Sequence, residues 1–490
     1  MKKYLFMLAA LLPMLVITSC RKDIPENPDE PEEKDYVRKY VNTFAYNMMK
    51  TYYLWTDEIS GTLENWKVND DPFEKIEQAR YKDSSGKDID RWTQLTDDYK
   101  TFTNSVEGTS TTYGFDFVLY YYDPAKTTVC AVVTLVYPDS PAAKAGLKRG
   151  DCIIKIAGGQ LTPGNYAELI NAMYSMPSCT FTLHGGATVT MSPVEMYEEP
   201  VLLAKTFDCS GKKVGYLLYN SFTQQSALEL VKACKYFKAE GVDELILDLR
   251  YNGGGYTNTE LALASMLAPK SDVEAGHVFE TEVYNKAVAK AIGKSETVFT
   301  TDFSFRYDGN VVAFSTADAN LELNKIYALV TSSTASASES IIGGLRPYIK
   351  IDVIGSQTHG KFCSGIIESA NEWYESVKDD LQEGEYEKGL KYADNWGIYL
   401  MIGRYADKDG KTISMPNGII PDISAEDCPD EGLQLGDPEE SMLSVALQRA
   451  GYVSKATASV RRARTGNSIT PLPDGMQPGR PAYKISNINK

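Results

Sequence analysis

Apolar and polar positions follow three different spacings along the chain, and each spacing predicts a different type of element. Between 36 and 55 the apolar residues recur at helical spacing, which predicts one long amphipathic helix followed by shorter helices to about 101. From about 111, runs rich in β-branched and aromatic residues predict strands. After about 200, strands alternate with helices, a pattern typical of an α/β layer. The sequence therefore predicts a helical part, a β-rich part and an α/β part.

The individual elements follow from the same patterns. In the β-rich part we expect strands at 113–122, 127–136 and 152–156 and a helix at 165–173. In the α/β part we expect strands at 214–222, 244–250, 326–332 and 351–355, helices at 225–238 and 335–345, and a hairpin at 398–414. The last forty residues are expected to form a flexible basic tail.

The first twenty residues are typical of an export signal. Lys2 and Lys3 precede an apolar stretch at 5–16 that is too short to cross about 30 Å of hydrocarbon. The tetrapeptide Ile-Thr-Ser-Cys that ends at Cys20 resembles a bacterial lipobox, which implies cleavage before Cys20 and lipid attachment to it. Because Arg21 stands where an Asp favours inner-membrane retention, we expect a lipid-anchored protein of the bacterial cell envelope, at the outer rather than the inner membrane. The side of the membrane it faces stays open, and an ordinary signal peptide is the alternative.

Charge and residue types exclude several classes of function. Lys and Arg number 50 and Asp and Glu 66, and the net charge of −16 over 490 residues would repel the phosphate backbone of nucleic acids. The three histidines lie far apart and no Cys-x-x-Cys pair occurs, so the sequence predicts no metal site, and no cofactor is expected. Without Cys20, seven of the eight cysteines remain, and an odd number cannot all pair. The sequence leaves the oligomeric state open.

A motif between two predicted strands points to peptide binding. Residues 140–151 read Ser-Pro-Ala-Ala-Lys-Ala-Gly-Leu-Lys-Arg-Gly-Asp, which predicts a short helix and a turn. This string resembles the signature of bacterial PDZ domains, which implies a domain that adds a peptide strand to its sheet edge and holds the peptide carboxylate on backbone N–H groups. The resemblance places the carboxylate loop at Tyr113, Gly114 and Phe115. An ordinary strand with a bulge is the alternative there.

A buried strand that leads into three glycines is the first candidate for a catalytic segment. Asp248, Arg250 and Asn252 alternate at the end of this predicted strand. The glycines at 253–255 would let backbone amides face a cleft where a side chain would obstruct a substrate. An ordinary strand-to-loop turn is the alternative.

A serine between a strand and a helix is the second candidate. At Ser336 the unpaired N–H groups of the following helix would suit an attacking oxygen and the oxyanion that it creates, although an N-cap serine is the alternative. Lys361 follows the next predicted strand, 25 positions later. One helix and one strand returning to the same sheet edge have about that length, so the two side chains could meet.

Four motifs in order resemble the C-terminal processing peptidases, also called tail-specific proteases. They are Asp-Leu-Arg-x-Asn-x-Gly-Gly at 248–255, Ser-Ala-Ser-Glu at 336–339, Thr-x-Gly-Lys at 358–361 and Gly-Ile-x-Pro-Asp at 418–422. The resemblance implies a mixed-sheet core of the ClpP/crotonase type, with Ser336 as nucleophile and Lys361 as general base. It also implies an oxyanion hole from Ala337 and from Gly254 or Gly255, with support from Asp248, Arg250, Asn252 and Glu339. The helical part resembles that of lipoprotein members from Bacteroides-type bacteria.

A lysine base has one physical requirement, and this chain departs from the family in one position. An ordinary lysine titrates near pH 10.4, so a base at neutral pH needs a pKa lowered by about three pH units, which burial among apolar neighbours would favour. Family members often carry a Gln four residues after the Lys, where this chain has Gly365. His359 is the alternative base.

These features predict an α/β multidomain protein with six segments. They are a signal peptide at 1–19, an acidic Pro-rich tether at 20–35, a helical N-terminal domain at 36–105, a PDZ domain at 106–198, a serine peptidase core at 199–450 and the tail at 451–490. We expect an envelope serine endopeptidase that cleaves protein C-terminal tails or unfolded segments captured by its PDZ domain. The alternatives are a PDZ adaptor that binds peptides with weak or no catalysis, and a hydrolase of small acyl substrates.

Overall fold

The computed structural model describes residues 32–415, 417–453, 470–472 and 483–485. Its helices are α1 Glu33–Tyr52, α2 Ser60–Glu64, α3 Pro72–Ala79, α4 Tyr99–Val106, α5 Pro141–Lys144, α6 Tyr166–Tyr174, α7 Ser226–Glu240, α8 Thr257–Leu267, α9 Lys270–Glu274, α10 Lys286–Ile292, α11 Ala337–Leu345, α12 Ala370–Ser376, α13 Glu385–Tyr392 and α14 Ser441–Ala450. Three short 3-10 helices lie at Ala317–Ala319, Lys378–Asp380 and Pro429–Glu431. No helix of the described ranges is both long and apolar enough to cross a membrane.

The strands occur in two groups along the chain. The first group is β1 Gln94–Thr96, β2 Thr109–Thr112, β3 Phe115–Tyr121, β4 Val129–Val136, β5 Cys152–Ile156, β6 Gly159–Gln160, β7 Cys179–Leu183, β8 Thr188–Met191 and β9 Val194–Tyr197. The second group is β10 Val201–Cys209, β11 Lys212–Tyr219, β12 Glu244–Asp248, β13 Gly254–Tyr256, β14 Val278–Tyr284, β15 Glu296–Val298, β16 Asp302–Tyr307, β17 Asn310–Ser315, β18 Lys325–Val330, β19 Ile351–Gly355, β20 Cys363–Ser369, β21 Gly397–Asp407, β22 Ile423–Ser424, β23 Thr470–Pro471 and β24 Tyr483–Ile485.

The first helix carries the predicted apolar stripe and buries it against the distant α/β part. Tyr40, Val41, Phe44 and Met48 are buried in one cluster with residues of β20, β21 and α12. The hydroxyl of Tyr374 in α12 donates to the backbone carbonyl of Tyr40 at 2.8 Å. The stripe is therefore core, and the N-terminal helices share this core with the end of the α/β part.

The β-rich part forms a sheet in the order β23-β3-β4-β5-β7-β8, with β6 paired to β5. The short helix α5 begins after Ser140, whose hydroxyl caps it by accepting the N–H of Ala143 at 3.1 Å. The helix α6 matches the predicted one within a residue at each end. The edge strand β23 comes from the segment predicted to be a flexible tail. Because the outer edge of β3 presents unpaired backbone groups, an extended segment of the same chain can satisfy them.

The α/β part contains a six-stranded sheet in the order β10-β11-β12-β18-β19-β22. Its strands β11, β12, β18, β19 and β22 pair in parallel, and apolar clusters cover both faces, as parallel strands require. The carboxyl ends of β12, β18 and β19 lie at one edge of this sheet. The segments that leave this edge carry the predicted catalytic residues, so the topology brings them together.

A second sheet of the α/β part has the order β13-β24-β20-β21-β14-β15, and β1 pairs with β21. The strand β20 and the helices α12 and α13 fall where the sequence pattern predicted no element. β20 contains serines and a glycine, and α13 is mostly polar, so neither carries a strong apolar period. The seven described cysteines are free thiols, and three of them, Cys130, Cys152 and Cys234, lie inside the predicted strands or helices.

Candidate active site

Ser336 occupies the residue before α11 in a backbone conformation that side chains rarely adopt. Its φ and ψ are +62° and −117°, outside the allowed regions for an L-residue with a side chain. The residue is fully buried, and its Oγ has no hydrogen-bond partner among the described residues. Ala337 is the first residue of α11, where the backbone N–H has no acceptor within the helix. The serine oxygen therefore lies at the positive end of a helix, in a capping box with Glu339 but without a regular hydrogen bond of its own among the described residues.

Lys361 is fully buried and its ammonium group lies among aromatic rings. Its Nζ donates to the hydroxyl of Tyr399 at 2.6 Å and lies 4.6 Å from the centre of the Tyr399 ring. The ring of Trp92, which belongs to the N-terminal helical part, lies 5.5 Å from Nζ. The lysine pocket is thus built by β21 and by the N-terminal part together. Neither aromatic residue was predicted from the sequence.

The carboxylate of Glu339 connects the serine segment to the lysine segment. Its Oε2 accepts the backbone N–H of Ser336 and that of Lys361, each at 2.9 Å. Its Oε1 accepts the N–H of Gly360 at 2.8 Å and the hydroxyl of Thr358. One side chain therefore fixes the backbone of both predicted catalytic residues. The sequence motif indicated Glu339 as a supporting residue but gave no contact for it.

Burial controls the ionisation of Glu339. Removal of the carboxylate from water raises its pKa to about 7, although the four donors from Thr358, Ser336, Gly360 and Lys361 act in the opposite direction. The group is fully buried. Near neutral pH, a proton on this carboxyl would compete with the backbone N–H groups for its oxygens.

Tyr405 makes a second link between the two segments. Its hydroxyl contacts the backbone carbonyl of Ser336 at 3.3 Å and also donates to the carbonyl of Lys361. The hydroxyl of Ser414 donates to the same Lys361 carbonyl at 3.1 Å. The backbone of the lysine is therefore fixed at both its N–H and its C=O.

The glycine segment after β12 is joined to the serine segment through Asn252. The Asn252 carbonyl accepts the N–H of Ala335 at 3.1 Å and the hydroxyl of Ser338 at 3.0 Å. The Asn252 side chain accepts the N–H of Gly254 at 2.9 Å, so that amide is already engaged. Gly255 has a φ of +144°, and an added Cβ would lie 2.3 Å from the carbonyl oxygen of Phe222.

Asp248 and Arg250 form a buried charge network beneath the site. The Arg250 guanidinium donates to Asp248 at 2.8 Å and to Glu440 at 2.7 Å. A third carboxylate, Asp427, lies 3.0 Å from Arg250 and 2.5 Å from Arg149 of the PDZ-like turn. Burial opposes the charge on Asp427, but the two guanidinium groups keep its pKa below the ordinary value. The network supports the strand end and ties the β-rich part to the α/β part.

The surroundings of His359, the alternative base, favour its neutral imidazole, which is a weak base and forms no ion pair. Burial, together with the charges of Arg91 and Lys361, lowers its pKa to about 4. Its backbone N–H donates to the carbonyl of Thr334 at 3.0 Å. A neutral imidazole with this pKa is a weaker proton acceptor at neutral pH than a base that titrates near 7.

Gly365, where the family often has Gln, lies against the residue that contacts the lysine. A Cβ at this position would lie 2.5 Å from Cε of Met401 and 2.8 Å from Cε2 of Tyr399. The glycine therefore leaves room for the Tyr399 side chain from the neighbouring strand. The Tyr399 hydroxyl then makes the contact to Lys361 Nζ for which the sequence offered no residue.

The predicted peptide-binding residues lie in the β-rich part, apart from the serine and lysine. Gly114 has a φ of +77°, and an added Cβ would lie 2.2 Å from Cβ of Ser140, so this position needs glycine. Its carbonyl accepts the N–H of Tyr137 at 2.9 Å. Tyr113 and Phe115 are buried in the apolar cluster of this sheet. Cys20, the predicted lipidation site, lies outside the described residues.

Two family models match separate parts of the chain. The model of peptidase family S41 matches residues 213–425, and the model of the PDZ domain matches residues 132–180. The first match covers the β12 end, Ser336, Glu339 and Lys361. The second covers most of β4 and all of α5, β5 and α6.

Curated relatives agree with these matches. A carboxyl-terminal-processing protease of Picosynechococcus sp. (strain ATCC 27264 / PCC 7002 / PR-6) is 26% identical over 269 residues, which are 54% of this chain and 58% of the relative. A CtpA-like serine protease of Staphylococcus aureus (strain N315) is 26% identical over 305 residues, 60% of this chain and 54% of the relative. The chain thus spans somewhat over half the length of these relatives.

A solved structure supports the same fold. A structure assigned to the S41 proteases, from Bacteroides fragilis NCTC 9343, superposes with a TM-score of 0.62 at 22% identity, over 87% of this chain and 98% of that chain. The predicted mixed α/β fold with a PDZ domain is confirmed. Residues 213–425 are thus similar to peptidase family S41, and residues 132–180, which precede them, are similar to the PDZ domain.

Proposed function

We propose that this chain is a serine endopeptidase in which Ser336 is the nucleophile and Lys361 the general base. The observation that carries the proposal is the Glu339 clamp, the set of hydrogen bonds by which one carboxylate fixes the backbones of Ser336 and Lys361. The Ser336 Oγ stands in a capping box with Glu339 but makes no regular hydrogen bond among the described residues, which leaves it available to attack a substrate. Curated relatives named as processing or serine proteases support the same reaction class.

The reaction begins with attack of Ser336 Oγ on the carbonyl carbon of the scissile peptide bond. The proton leaves Oγ for the neutral Nζ of Lys361, and the carbonyl oxygen becomes an oxyanion. The N–H of Ala337 and the N–H of Gly255 would hold that oxyanion, because the N–H of Gly254 is already bonded to Asn252. Lys361 then returns the proton to the leaving amine, and water hydrolyses the acyl-enzyme by the same steps.

Tyr399 takes the role of a positioning residue for the lysine. Its hydroxyl accepts from Nζ at 2.6 Å, which aims the amine within a pocket that excludes water. The hydrogen bond from Lys361 to Tyr399 can replace the contact that the family Gln would make. Gly365 therefore does not require a weakened serine and lysine pair as its explanation. This second explanation of Gly365 supports the peptidase over the adaptor alternative.

The PDZ domain would supply the substrate. PDZ domains add an extended peptide to a sheet edge, and a protease whose relative is named for carboxyl-terminal processing would use that mode to capture C-terminal tails or unfolded segments. The loop at Tyr113, Gly114 and Phe115 would hold the carboxylate of such a tail.

The cellular location is a separate part of the proposal. An export signal and a lipid on Cys20 would place the enzyme on the envelope, at the outer membrane. Metabolic labelling with a radioactive fatty acid should label the full chain, and Cys20→Ser should remove the label. Equal labelling of the Cys20→Ser chain would contradict the anchor.

The test of the reaction is cleavage of an unstructured protein with an accessible C-terminal tail, followed by mass spectrometry of the fragments. We expect the full chain to cut it, and Ser336→Ala and Lys361→Met each to lower the rate by at least about 1,000-fold. His359→Gln should keep the activity within about tenfold. Tail binding without cleavage by the unaltered chain would instead favour the adaptor, and cleavage of small esters alone would favour the acyl hydrolase.

A further inference from the structure

Two short segments near the end of the chain lie on surfaces that a substrate would need. These tail segments are residues 470–472, which contain β23, and residues 483–485, which form β24. Each pairs with a strand far away in sequence, one in the PDZ domain and one in the peptidase domain.

The first tail segment lies on the open edge of the PDZ sheet. Thr470 pairs with Tyr121 and Pro471 with Tyr120, antiparallel to β3, and the N–H of Leu472 donates to the carbonyl of Leu119 at 2.9 Å. Since β3 follows directly after the loop at Tyr113, Gly114 and Phe115, its edge is the one that a captured peptide would extend. The segment therefore has the geometry of a bound peptide.

The side chain of Leu472 anchors this segment. It is only 2% exposed and belongs to the PDZ core cluster, together with Leu119 of β3 and Ile170 and Met173 of α6. A buried leucine between a strand edge and a helix is the type of anchor that gives such peptides their specificity. The backbone pairing and the buried side chain thus agree on one binding mode.

The second tail segment lies between the glycine segment and the strand after Lys361. β24 pairs in parallel with β13, with Gly255 opposite Lys484, and its Ile485 is opposite Gly365 of β20. Ile485 is 4% exposed, and its carbonyl accepts the hydroxyl of Thr257 at 3.0 Å. A substrate whose carbonyl oxygen approached Gly255 would have to enter the space that this strand fills.

The opposite charges of the C-terminal residues and the rest of the chain favour binding of the tail segments to the same chain. Residues 451–490 contain seven basic side chains and one acidic side chain, a net charge of +6, and the other 450 residues therefore carry −22. A basic segment tethered to an acidic body is attracted to it, and the tether keeps its effective concentration near the millimolar range.

We propose that the two tail segments, residues 470–472 and 483–485, act as an internal ligand, which fills the peptide groove of the PDZ domain with Leu472 and the catalytic cleft with Ile485. The described chain is then a self-occupied form, and a substrate must displace these segments from both places. Occupation of the PDZ groove does not depend on the proposed peptidase activity, whereas the effect on cleavage rests on it.

Peptide binding tests the occupation directly, in the full chain with Ser336→Ala so that the probe is not cut. The probe is a fluorescein-labelled synthetic peptide with the sequence of residues 465–475. If the segment binds its groove with a Kd of about 100 μM at an effective concentration of about 1 mM, it weakens probe binding about tenfold.

Leu472→Asp should therefore bind the probe about tenfold more tightly than the parent chain. Thr470→Asp adds the same charge at an exposed position and should change the Kd by less than about twofold. Equal affinities for parent and Leu472→Asp chains would overturn the proposal.

A disulfide test keeps the proposal open to refutation if Leu472→Asp fails to fold. The register places Thr470 opposite Tyr121, within the spacing that a cross-strand disulfide needs. We expect Thr470→Cys with Tyr121→Cys to form an intramolecular bond on oxidation. Thr470→Cys with Thr188→Cys, which places the second cysteine on the strand at the opposite edge of the sheet, should not. Equal bond formation in both pairs, or bonds only between two copies, would overturn the internal assignment.

Cleavage supplies the functional readout. The oxidised Thr470→Cys and Tyr121→Cys chain should cleave the unstructured substrate at least about tenfold more slowly than the same chain after reduction, and Ile485→Asp should cleave it faster than the parent. Unchanged rates in an active enzyme would overturn the inhibitory role. If no form cleaves, the proposed peptidase has failed, while peptide binding and disulfide formation still decide whether the tail fills the groove.

Discussion

The carboxylate of Glu339 accepts the backbone N–H of Lys361 at 2.9 Å, across 22 positions of sequence. The same oxygen accepts the N–H of Ser336, which lies three residues before Glu339 in the strained conformation described above. Buried hydrogen bonds to a carboxylate are among the stronger polar contacts in proteins. This side chain therefore supplies much of the rigidity that the proposed serine and lysine pair requires.

Loss of the Glu339 carboxylate should lower the catalytic rate without abolishing substrate binding. Glu339→Gln keeps the shape but replaces one acceptor oxygen with a donor amide, so either the N–H of Gly360 or the N–H groups of both Ser336 and Lys361 lose their acceptor. We expect kcat to fall about 100-fold or more, with KM changed by less than about threefold. Glu274→Gln, at an exposed glutamate, is the matched control and should have unchanged kinetics. An unaltered kcat in Glu339→Gln would contradict the clamp.

The raised pKa of Glu339 also makes a prediction about stability. Burial raises this pKa from 4.5 to about 7, so the folded protein binds the proton more tightly than the unfolded chain does. The contribution of the Glu339 proton to the free energy of unfolding is fully present below about pH 4.5 and is lost as the pH rises through 7. The free energy of unfolding of the parent chain, minus that of Glu339→Gln, should fall by about 3 kcal/mol between pH 4.5 and 7.5. Urea unfolding over this range measures it, and a difference that rises with pH would contradict the assignment.

Much of the catalytic segment could be predicted from the sequence because each residue stands at the end of a strongly patterned element. Ser336 and Lys361 follow β18 and β19, and the parallel order of these strands brings both to one sheet edge. Tyr399 and Trp92 could not be predicted in the same way. Tyr399 lies within an apolar strand, and Trp92 comes from a different part of the chain, so only the tertiary structure brings their rings to the lysine.

Tyr399→Phe should lower kcat by about tenfold to a hundredfold. The change removes a hydroxyl that accepts from Nζ of Lys361, and a hydrogen bond to a charged group contributes about 1.5–3 kcal/mol. Because the ammonium loses an acceptor, the acid limb of the kcat/KM profile should also move to lower pH. Tyr374→Phe is the control, since its hydroxyl is also buried but bonds to Tyr40 in the N-terminal helix. Identical pH profiles for the parent and Tyr399→Phe would argue against a positioning role.

Gly114→Ala should destabilise the PDZ domain more than Gly146→Ala does. Both glycines have φ near +80°, which costs alanine about 1–2 kcal/mol, but only at Gly114 would the new Cβ collide with Ser140. The collision should add about 1–3 kcal/mol. Amide hydrogen exchange in β4 reports this local stability, and we expect at least about fivefold faster exchange in Gly114→Ala than in Gly146→Ala. Equal exchange rates would show that Ser140 can move away from the new Cβ without a cost in free energy.

Arg149 should hold the PDZ domain against the α/β part. Its guanidinium is almost fully buried, bonds to Asp427 at 2.5 Å and donates to the hydroxyl of Tyr251 at 2.6 Å. Removing one partner of such a buried network costs about 3–5 kcal/mol. Arg149→Met should therefore release the PDZ domain and increase the radius of gyration in small-angle X-ray scattering. Lys148→Met, at the exposed neighbouring position, should leave the radius unchanged, and no difference between the two variants would contradict the docking role.

The strands of the two tail segments could not be predicted from the sequence pattern. Residues 470–472 and 483–485 are too short to carry a strand period, and the basic, Pro- and Gly-containing composition around them predicts an irregular segment. Their pairing depends on open strand edges at β3 and β13, which exist only once both domains have folded.

Covalent labelling of the serine tests the central claim most directly. In a fluorophosphonate probe, an activated serine oxygen displaces fluoride from phosphorus, and peptide mass spectrometry of the full chain locates the adduct. We predict one labelled residue, Ser336, with labelling lost in Lys361→Met and kept in His359→Gln. Labelling at another residue, or labelling of Ser336 that is equally fast in Lys361→Met, would contradict the proposed serine and lysine pair.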